Sequence, residues 1–374
     1  MLYLPDDIDK ALAMIKRFKK YIVVGNDYDR ISSFRSRDDY NGKNVITTVK
    51  RNRIIKYTDE YIEVQSGITF QKLNNFLKKK KRSLQYLPNY SDITLGSACF
   101  VGVHGCLGGE LPGLEICYDI LVIDKSDFTL RYLRKEEISK QSNVVILSMK
   151  VKHVPIKESV VKVKEVSEDK FEYDDNLIEI DEIYWTLWIP KNKKMYVHTG
   201  HEQDFTDRKE GYVKPIIWPL TGGNMYVSEL EFDKEHYFYP SFDFLCPNNR
   251  ANLLKTLIKF HDFYGFLNFE VYIPLNLMDE SIAFLKTKRD IIKAVQMRII
   301  NRPHIENNYI RTSSKVYAFD ILVKKKKYKD VVGYFLDKKL YFHKGKLENY
   351  LDNKKNIDKY LLLIFGAIGL KKLL

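Results

Sequence analysis

Between Leu87 and Pro112 the chain reads Leu-Pro-Asn-Tyr-Ser-Asp-Ile-Thr-Leu-Gly-Ser-Ala-Cys-Phe-Val-Gly-Val-His-Gly-Cys-Leu-Gly-Gly-Glu-Leu-Pro. Gly96, Gly102, Gly105, Gly108 and Gly109 alternate there with small and apolar residues. His104 and Cys106 add a ring nitrogen and a thiol to the same run. Glycine has no side chain to bury and weakens the interior of a helix or strand. The run is therefore expected to serve close approach rather than core filling, its backbone N–H groups reaching a flat or anionic ligand. It reads as a wall on which a large cofactor lies. His104 has a plainer alternative as a satisfied histidine in a tight turn, and Cys106 as a small buried hydrophobe.

The elements that must position this run alternate between helix and strand. Residues 7–19 place Ile8, Leu12, Ile15 and Phe18 on one helical face. Tyr21-Ile-Val-Val24 reads as a short buried strand that ends at Gly25, followed by strands at 44–49, 53–57 and 61–65. A second helix is expected over 70–80. After the glycine run come a strand pair at 116–124 and 128–133 and one long strand over 144–155, ended by Pro155. No internal repeat is apparent.

The glycine run and the segment before it resemble the FAD-dependent oxidases and dehydrogenases of the vanillyl-alcohol-oxidase type, most closely the sugar-lactone (aldonolactone) branch. Pro88, Asp92, Thr94, Gly96, Gly102, His104 and Gly105 fall into that family's register, and Glu63-Val-Gln-Ser-Gly67 resembles its strand end that opens a helix. The resemblance implies an α+β fold: a two-part FAD-binding domain at 1–155, an α+β cap or substrate domain at 156–332, and a C-terminal segment, 333–374, that returns to the FAD domain. It implies non-covalent FAD held by Gly25, Asn26, Gly67, Asp92, Thr94, Gly96, Ser97, Gly102, Val103, His104, Gly105, Cys106, Val145 and Ile146.

The same resemblance assigns chemistry to the cap and the C-terminal segment. His343-Lys-Gly-Lys346 is similar to the family's His-Trp-Gly-Lys, whose histidine and lysine sit at the flavin, with Lys344 in place of tryptophan. Arg298 lies in a stretch similar to the family's Glu-x-Arg strand, where its fork of N–H donors would hold substrate oxygens. Without the resemblance Arg298 reads as a salt-bridge partner within the cap, and Lys346 reads equally as a solvated surface lysine or a site lysine. The implied reaction is hydride transfer from a sugar lactone or related polyol to flavin N5, with dioxygen or another carrier as acceptor. Val103, β-branched where access of dioxygen is set, leans the reading toward a dehydrogenase.

Several residues depart from the family's pattern. The loop after the first strand, Val24-Gly25-Asn26-Asp27-Tyr28-Asp29-Arg30, keeps one glycine and brings two carboxylates toward the cofactor's phosphates, with Arg30 as the available counter-charge. Tyr28 replaces the histidine that some relatives join to FAD. Gln296 replaces the glutamate of Glu-x-Arg, and an amide cannot neutralise Arg298 or act as a base. Val144 stands where the family has glycine, so its side chain is expected to crowd the cofactor. These departures support a second reading, a catalytically retired fold kept as a structural or interaction protein.

Composition narrows the remaining classes. The chain has 374 residues, 45% of them hydrophobic, enough for two domains with a substantial core. No stretch has the sections of a signal peptide or reaches the roughly 18 apolar residues of a membrane span. Four cysteines without metal-ligand spacing suggest reduced thiols in a cytoplasmic protein. The net charge of +13 is spread along the chain with no nucleic-acid recognition motif, so it reads as a solvated surface that also attracts an anionic cofactor.

Overall fold

The structure is a computed structural model. It describes residues 2–18, 20–25, 44–84, 93–101, 103, 105, 116–140, 143–171, 182–206, 234–238, 265–300 and 316–343. Strand β1 (Leu2–Tyr3) precedes helix α1 (Ile8–Arg17). Asp7 caps α1 by accepting the Lys10 N–H at 2.8 Å, while Lys16 and Arg17 lie at its carbonyl end, where cations are favoured. Strands β2 (Tyr21–Val24) and β3 (Asn44–Thr47) join β1 in a parallel sheet of order β1-β3-β2. Ala11 and Ile15 of α1 pack with Leu4, Ile46, Val145 and Leu147, tying this small sheet to the next.

That next sheet is antiparallel, with order β4-β5-β9-β7-β8: β4 (Ile54–Tyr57), β5 (Tyr61–Gln65), β7 (Cys117–Asp124), β8 (Leu130–Leu133) and β9 (Val144–Lys152). Helix α2 (Phe70–Lys78) covers one face, capped by Thr69, whose hydroxyl accepts the Lys72 N–H at 3.1 Å. The two-residue strand β6 (Arg82–Ser83) follows α2. Helix α3 (Leu95–Val101) and helix α4 (Lys135–Lys140) complete this part.

Two expectations change here. Residues 144–155 form two strands rather than one, because β10 (Val154–Pro155) leaves the sheet to pair with β6. His153 sits at the break, its Nδ1 accepting from Arg82 Nε at 2.9 Å and its Nε2 lying 3.0 Å from the Thr58 carbonyl. Proline has no N–H to give a central ladder, and a two-residue edge pair tolerates that. The start of the glycine run also fills core after all: it is helical as α3, and Leu95, Ala98 and Cys99 are fully buried against α2 and β9.

The remaining strands are β11 (Lys157–Ser167), β12 (Glu182–Ile189), β13 (Lys194–Asp204), β14 (His236–Phe238), β15 (Phe266–Pro274), β16 (Ile292–Ile300), β17 (Val316–Lys324) and β18 (Tyr341–Phe342). They form one antiparallel sheet of order β14-β11-β13-β12-β16-β17-β15-β18. Helices α5 (Met278–Thr287) and α6 (Tyr328–Asp337) cover one face, over Phe269, Val271, Met297, Phe319 and Ile321. The fold is thus of the expected α+β class. Residues 333–343 lie with this large sheet, where α6 continues to Asp337 and β18 pairs with β15.

A repeat does exist. Strand β15, the 3-10 turn Leu275–Leu277 and α5 recur 50 residues later as β17, the turn Lys325–Lys327 and α6. Each unit is a β-α-β crossover, and the two interlock through the antiparallel pair β15–β17 in a split β-α-β arrangement. Glu270 is directly opposite Asp320, its equivalent in the other unit, so a local two-fold axis runs through that carboxylate pair.

Candidate functional site

Two places gather the side chains that the sequence singled out. The first is a junction where the ends of β2, β3 and β5 meet the start of α3. Its strands come close because three residues lack a Cβ. A Cβ on Gly25 would stand 2.2 Å from both the Thr94 and Ser97 hydroxyl oxygens, and one on Gly67 would stand 1.8 Å from the Thr48 carbonyl oxygen. One on Gly96 would approach the Cβ and carbonyl oxygen of Ser66 to 2.9 Å. At these three positions the missing side chain makes room for neighbouring protein atoms.

Backbone bonds lace the junction together. Gly96 N–H donates to the Ser66 carbonyl at 2.8 Å, Leu95 N–H to Ile68 at 2.9 Å, and Gly67 N–H to Arg51 at 2.8 Å. Around these bonds the polar side chains are hydroxyls. Thr47 donates to the Gly25 carbonyl at 2.6 Å, and Thr94 donates to Ser97 at 3.0 Å. Ser66 is fully buried, and its Oγ has no hydrogen-bond partner among the described residues. A set of neutral donors beside backbone N–H groups, with a buried hydroxyl left over, suits the phosphate and sugar oxygens of a dinucleotide such as FAD.

The second place is the face of the large sheet turned away from α5 and α6. Strand alternation puts Gln296 and Arg298 of β16, Asp320 of β17, and Glu270 and Tyr272 of β15 on it. Arg298 Nη2 lies 2.5 Å from Glu270 Oε2 and 3.7 Å from Asp320 Oδ2, all three side chains being nine-tenths buried or more. Gln296 Oε1 faces Trp185 Nε1 of β12 at 3.4 Å. His343 follows β18; its N–H donates to the Glu270 carbonyl at 2.9 Å, and its ring lies 6.5 Å from that of Tyr272.

His198 of β13 extends this row beyond Trp185, its ring 4.2 Å from the indole. Its Nδ1 lies 3.1 Å from two carbonyl oxygens, those of Trp185 and Tyr196, so Nδ1 carries the proton. Burial is the larger influence and pushes the imidazole down to about 3, against those two bonds. The ring is neutral at ordinary pH.

The two places share one core. Tyr272, Ile300, Val316 and Ala318 of the large sheet pack in the same cluster as Leu95, Ala98 and Cys99 of α3, with Val103 against it. Ala318 is opposite Arg298 and Tyr272, one step along the sheet from the Gln296–Asp320–Glu270 row. The charged row therefore begins where the sheet docks on the helix that leaves the junction.

Of the expected cofactor residues, Gly25, Gly67, Thr94, Gly96 and Ser97 meet at the junction. Val103 is half-buried, and Gly105 is buried. Val145 packs instead beneath α1, and Ile146 lies in the core with α2 and α3. Val144 is 3% exposed in that same core, where it supports α3. Asn26, Asp92, Gly102, His104, Cys106 and Lys346 lie outside the described residues, as do Asp27, Tyr28, Asp29 and Arg30.

Arg298, Gln296 and His343 do come together. The expected lack of a counter-charge for Arg298 is made good by Glu270 and Asp320, which sequence reading passed over. Their signal was present as Phe269-Glu270 and Phe319-Asp320, the same dipeptide type at the same point of two units. Among the described residues no group of three metal-ligating side chains occurs, and no helix is long and apolar enough to cross a membrane.

Comparison with known proteins agrees with this geometry. Residues 5–115 match the family model of the FAD binding domain. No curated protein matches the chain. Among solved structures, wild-type BBE-like 1 from Physcomitrella patens superposes with a TM-score of 0.60 at 11% identity, covering 92% of this chain and 82% of that one. A variant of the same moss protein gives 0.59 at 11% identity, with 90% and 78% covered. At this identity the likeness to the moss protein is one of fold.

Proposed function

We propose that this chain is an FAD-dependent oxidoreductase that oxidises a CH–OH group of a sugar lactone, polyol or related alcohol. The observation that carries the reading is the shared core, which sets a buried charged row of the large sheet beside the helix leaving a glycine-and-hydroxyl junction of FAD-binding type. Gly25, Gly67, Thr94, Gly96 and Ser97 would hold the cofactor without a covalent link, since Tyr28 stands in place of the linking histidine. When bound, FAD supplies the hydride acceptor, and the protein's task is binding, orientation and electrostatics.

Arg298 performs the orienting. A guanidinium buried alone is prohibitively costly, and Glu270 and Asp320 from two other strands offset that cost and fix its plane. Fixed in that plane, the guanidinium would meet substrate oxygens with little rotamer freedom left to lose. Trp185 and Tyr272 wall the row with rings and keep water from it. Gln296 anchors the Trp185 indole, and His343, held by its backbone to Glu270, leads the chain toward Lys346. Neutral His198 cannot serve as an acid near pH 7, because burial holds it far below that range.

The test is spectroscopic. Purified protein carries a blue-absorbing flavin that acid releases into the supernatant, and anaerobic addition of alditols or aldonolactones bleaches it. Protein that takes up no flavin on reconstitution sinks the proposal and leaves the retired-fold reading. Flavin that binds but is bleached by none of these alcohols removes the substrate class.

A further inference from the structure

We infer that Ser66 donates its hydroxyl to a phosphate oxygen of the dinucleotide; this rests on the FAD reading above. Ser66 follows the last residue of β5 and is fully buried. Its backbone is committed on both sides: the N–H donates to the Leu147 carbonyl at 3.0 Å, and the carbonyl accepts the Gly96 N–H at 2.8 Å. The hydroxyl is what remains. Buried side-chain polar atoms in folded proteins are nearly always paired, and an exception calls for a partner from outside the chain.

The neighbouring hydroxyls show what the Ser66 side chain lacks. Thr47 and Thr94 each have an acceptor inside the protein, the Gly25 carbonyl and the Ser97 oxygen. Ser66 Oγ has none among the described residues, although the same three glycines draw these segments into contact. Alanine would fill the same space without stranding a polar atom. A serine is therefore unfavourable in the empty protein and becomes favourable only when an acceptor arrives. The groups around it are hydroxyls and backbone amides, so the arriving partner is an oxygen that accepts. A phosphate oxygen is the acceptor that gains most from a neutral donor in a dry site.

The inference makes two opposed predictions for Ser66→Ala. FAD affinity, read by quenching of flavin fluorescence, falls roughly tenfold, as expected for loss of one hydrogen bond to a charged oxygen. Riboflavin, which has no phosphate, binds the variant and the wild type alike. The melting temperature of the flavin-free variant stays level or rises, because an unpaired buried hydroxyl has gone. A variant that holds FAD as tightly as wild type overturns the inference. So does one whose flavin-free form melts lower, since that is the mark of a structural serine. Wild-type protein that binds no FAD overturns the underlying reading as well, and is told apart by that wild-type titration.

Discussion

At the junction of β2, β5 and α3 the polar side chains are small, neutral and hydroxylic, and strands approach because glycines leave out a Cβ. On the polar face of the large sheet the side chains are long and charged, and they are held by one another: Arg298 by Glu270 and Asp320. The first arrangement is built from backbone proximity within one local stretch and its neighbours. The second is built from side chains that only strand pairing brings together. One is sensitive to added volume, the other to removed charge.

The sharpest way to break that contrast is to remove the cation. Arg298→Met leaves Glu270 and Asp320 buried without their partner and is expected to cost about 3–5 kcal/mol in urea unfolding. A loss below about 1 kcal/mol would mean that the carboxylates are solvated or protonated, and the row would no longer count as a charge-held site. The matching change at the junction adds a single carbon. Gly67→Ala sets a Cβ against the Thr48 carbonyl, which is backbone and cannot swing aside, so a loss of about 1–3 kcal/mol is expected.

Acid probes the sheet differently. The folded state holds His198 at about 3, against about 6.5 in an unfolded chain. Its depressed value means the unfolded chain binds the extra proton first. Stability from this group is therefore full above about pH 6.5 and declines by roughly 1.4 kcal/mol per pH unit as pH falls toward 3. His198→Gln should flatten that slope in denaturation curves taken at successive pH values. His153 adds to the slope in the same direction, since burial lowers it too.

Smaller effects sharpen the division between support and site. Val144→Ala should cost about 1–2 kcal/mol of stability while leaving FAD affinity unchanged, because Val144 supports α3 from within the core. A gain in FAD affinity would restore the view that this side chain crowds the cofactor. At the far end of the scale, Glu280→Gln breaks the surface pair with Lys338 and should leave the unfolding midpoint unmoved.

How much of this was legible in the sequence follows the same division. Helix α1 announces itself by Asp7 and an apolar face, α2 by Thr69 and Phe70, and β2 by its run up to Gly25. These are local signals, and the junction is assembled largely from them. Glycine was legible as close approach, but the neighbour it makes room for was not, and at Gly96 a Cβ would meet Ser66. The helical state of α3 was hidden because tertiary burial of Leu95, Ala98 and Cys99 overrides the glycine and serine within it.

The sheet's charged row was harder to foresee. Arg298 meets partners from β15 and β17, and no spacing rule connects positions that meet only through strand register. The repeat that aligns them survives as a pattern of residue types, and most of its positions differ in identity. Arg298 as an internal salt-bridge partner was the plainer of two readings, and the structure places that interaction inside the candidate site.

The two-fold axis between Glu270 and Asp320 gives the two repeated units opposite surroundings. It exchanges opposite ends of the sheet, so whatever one copy of the unit does at the end docked on α3, the other must do at the end facing solvent. The turn Leu275–Leu277 and its counterpart Lys325–Lys327 show the outcome, greasy in one copy and cationic in the other. The repeated unit thereby has a head and a tail. Polarity, written onto a symmetric scaffold, tells the sheet which way round to sit.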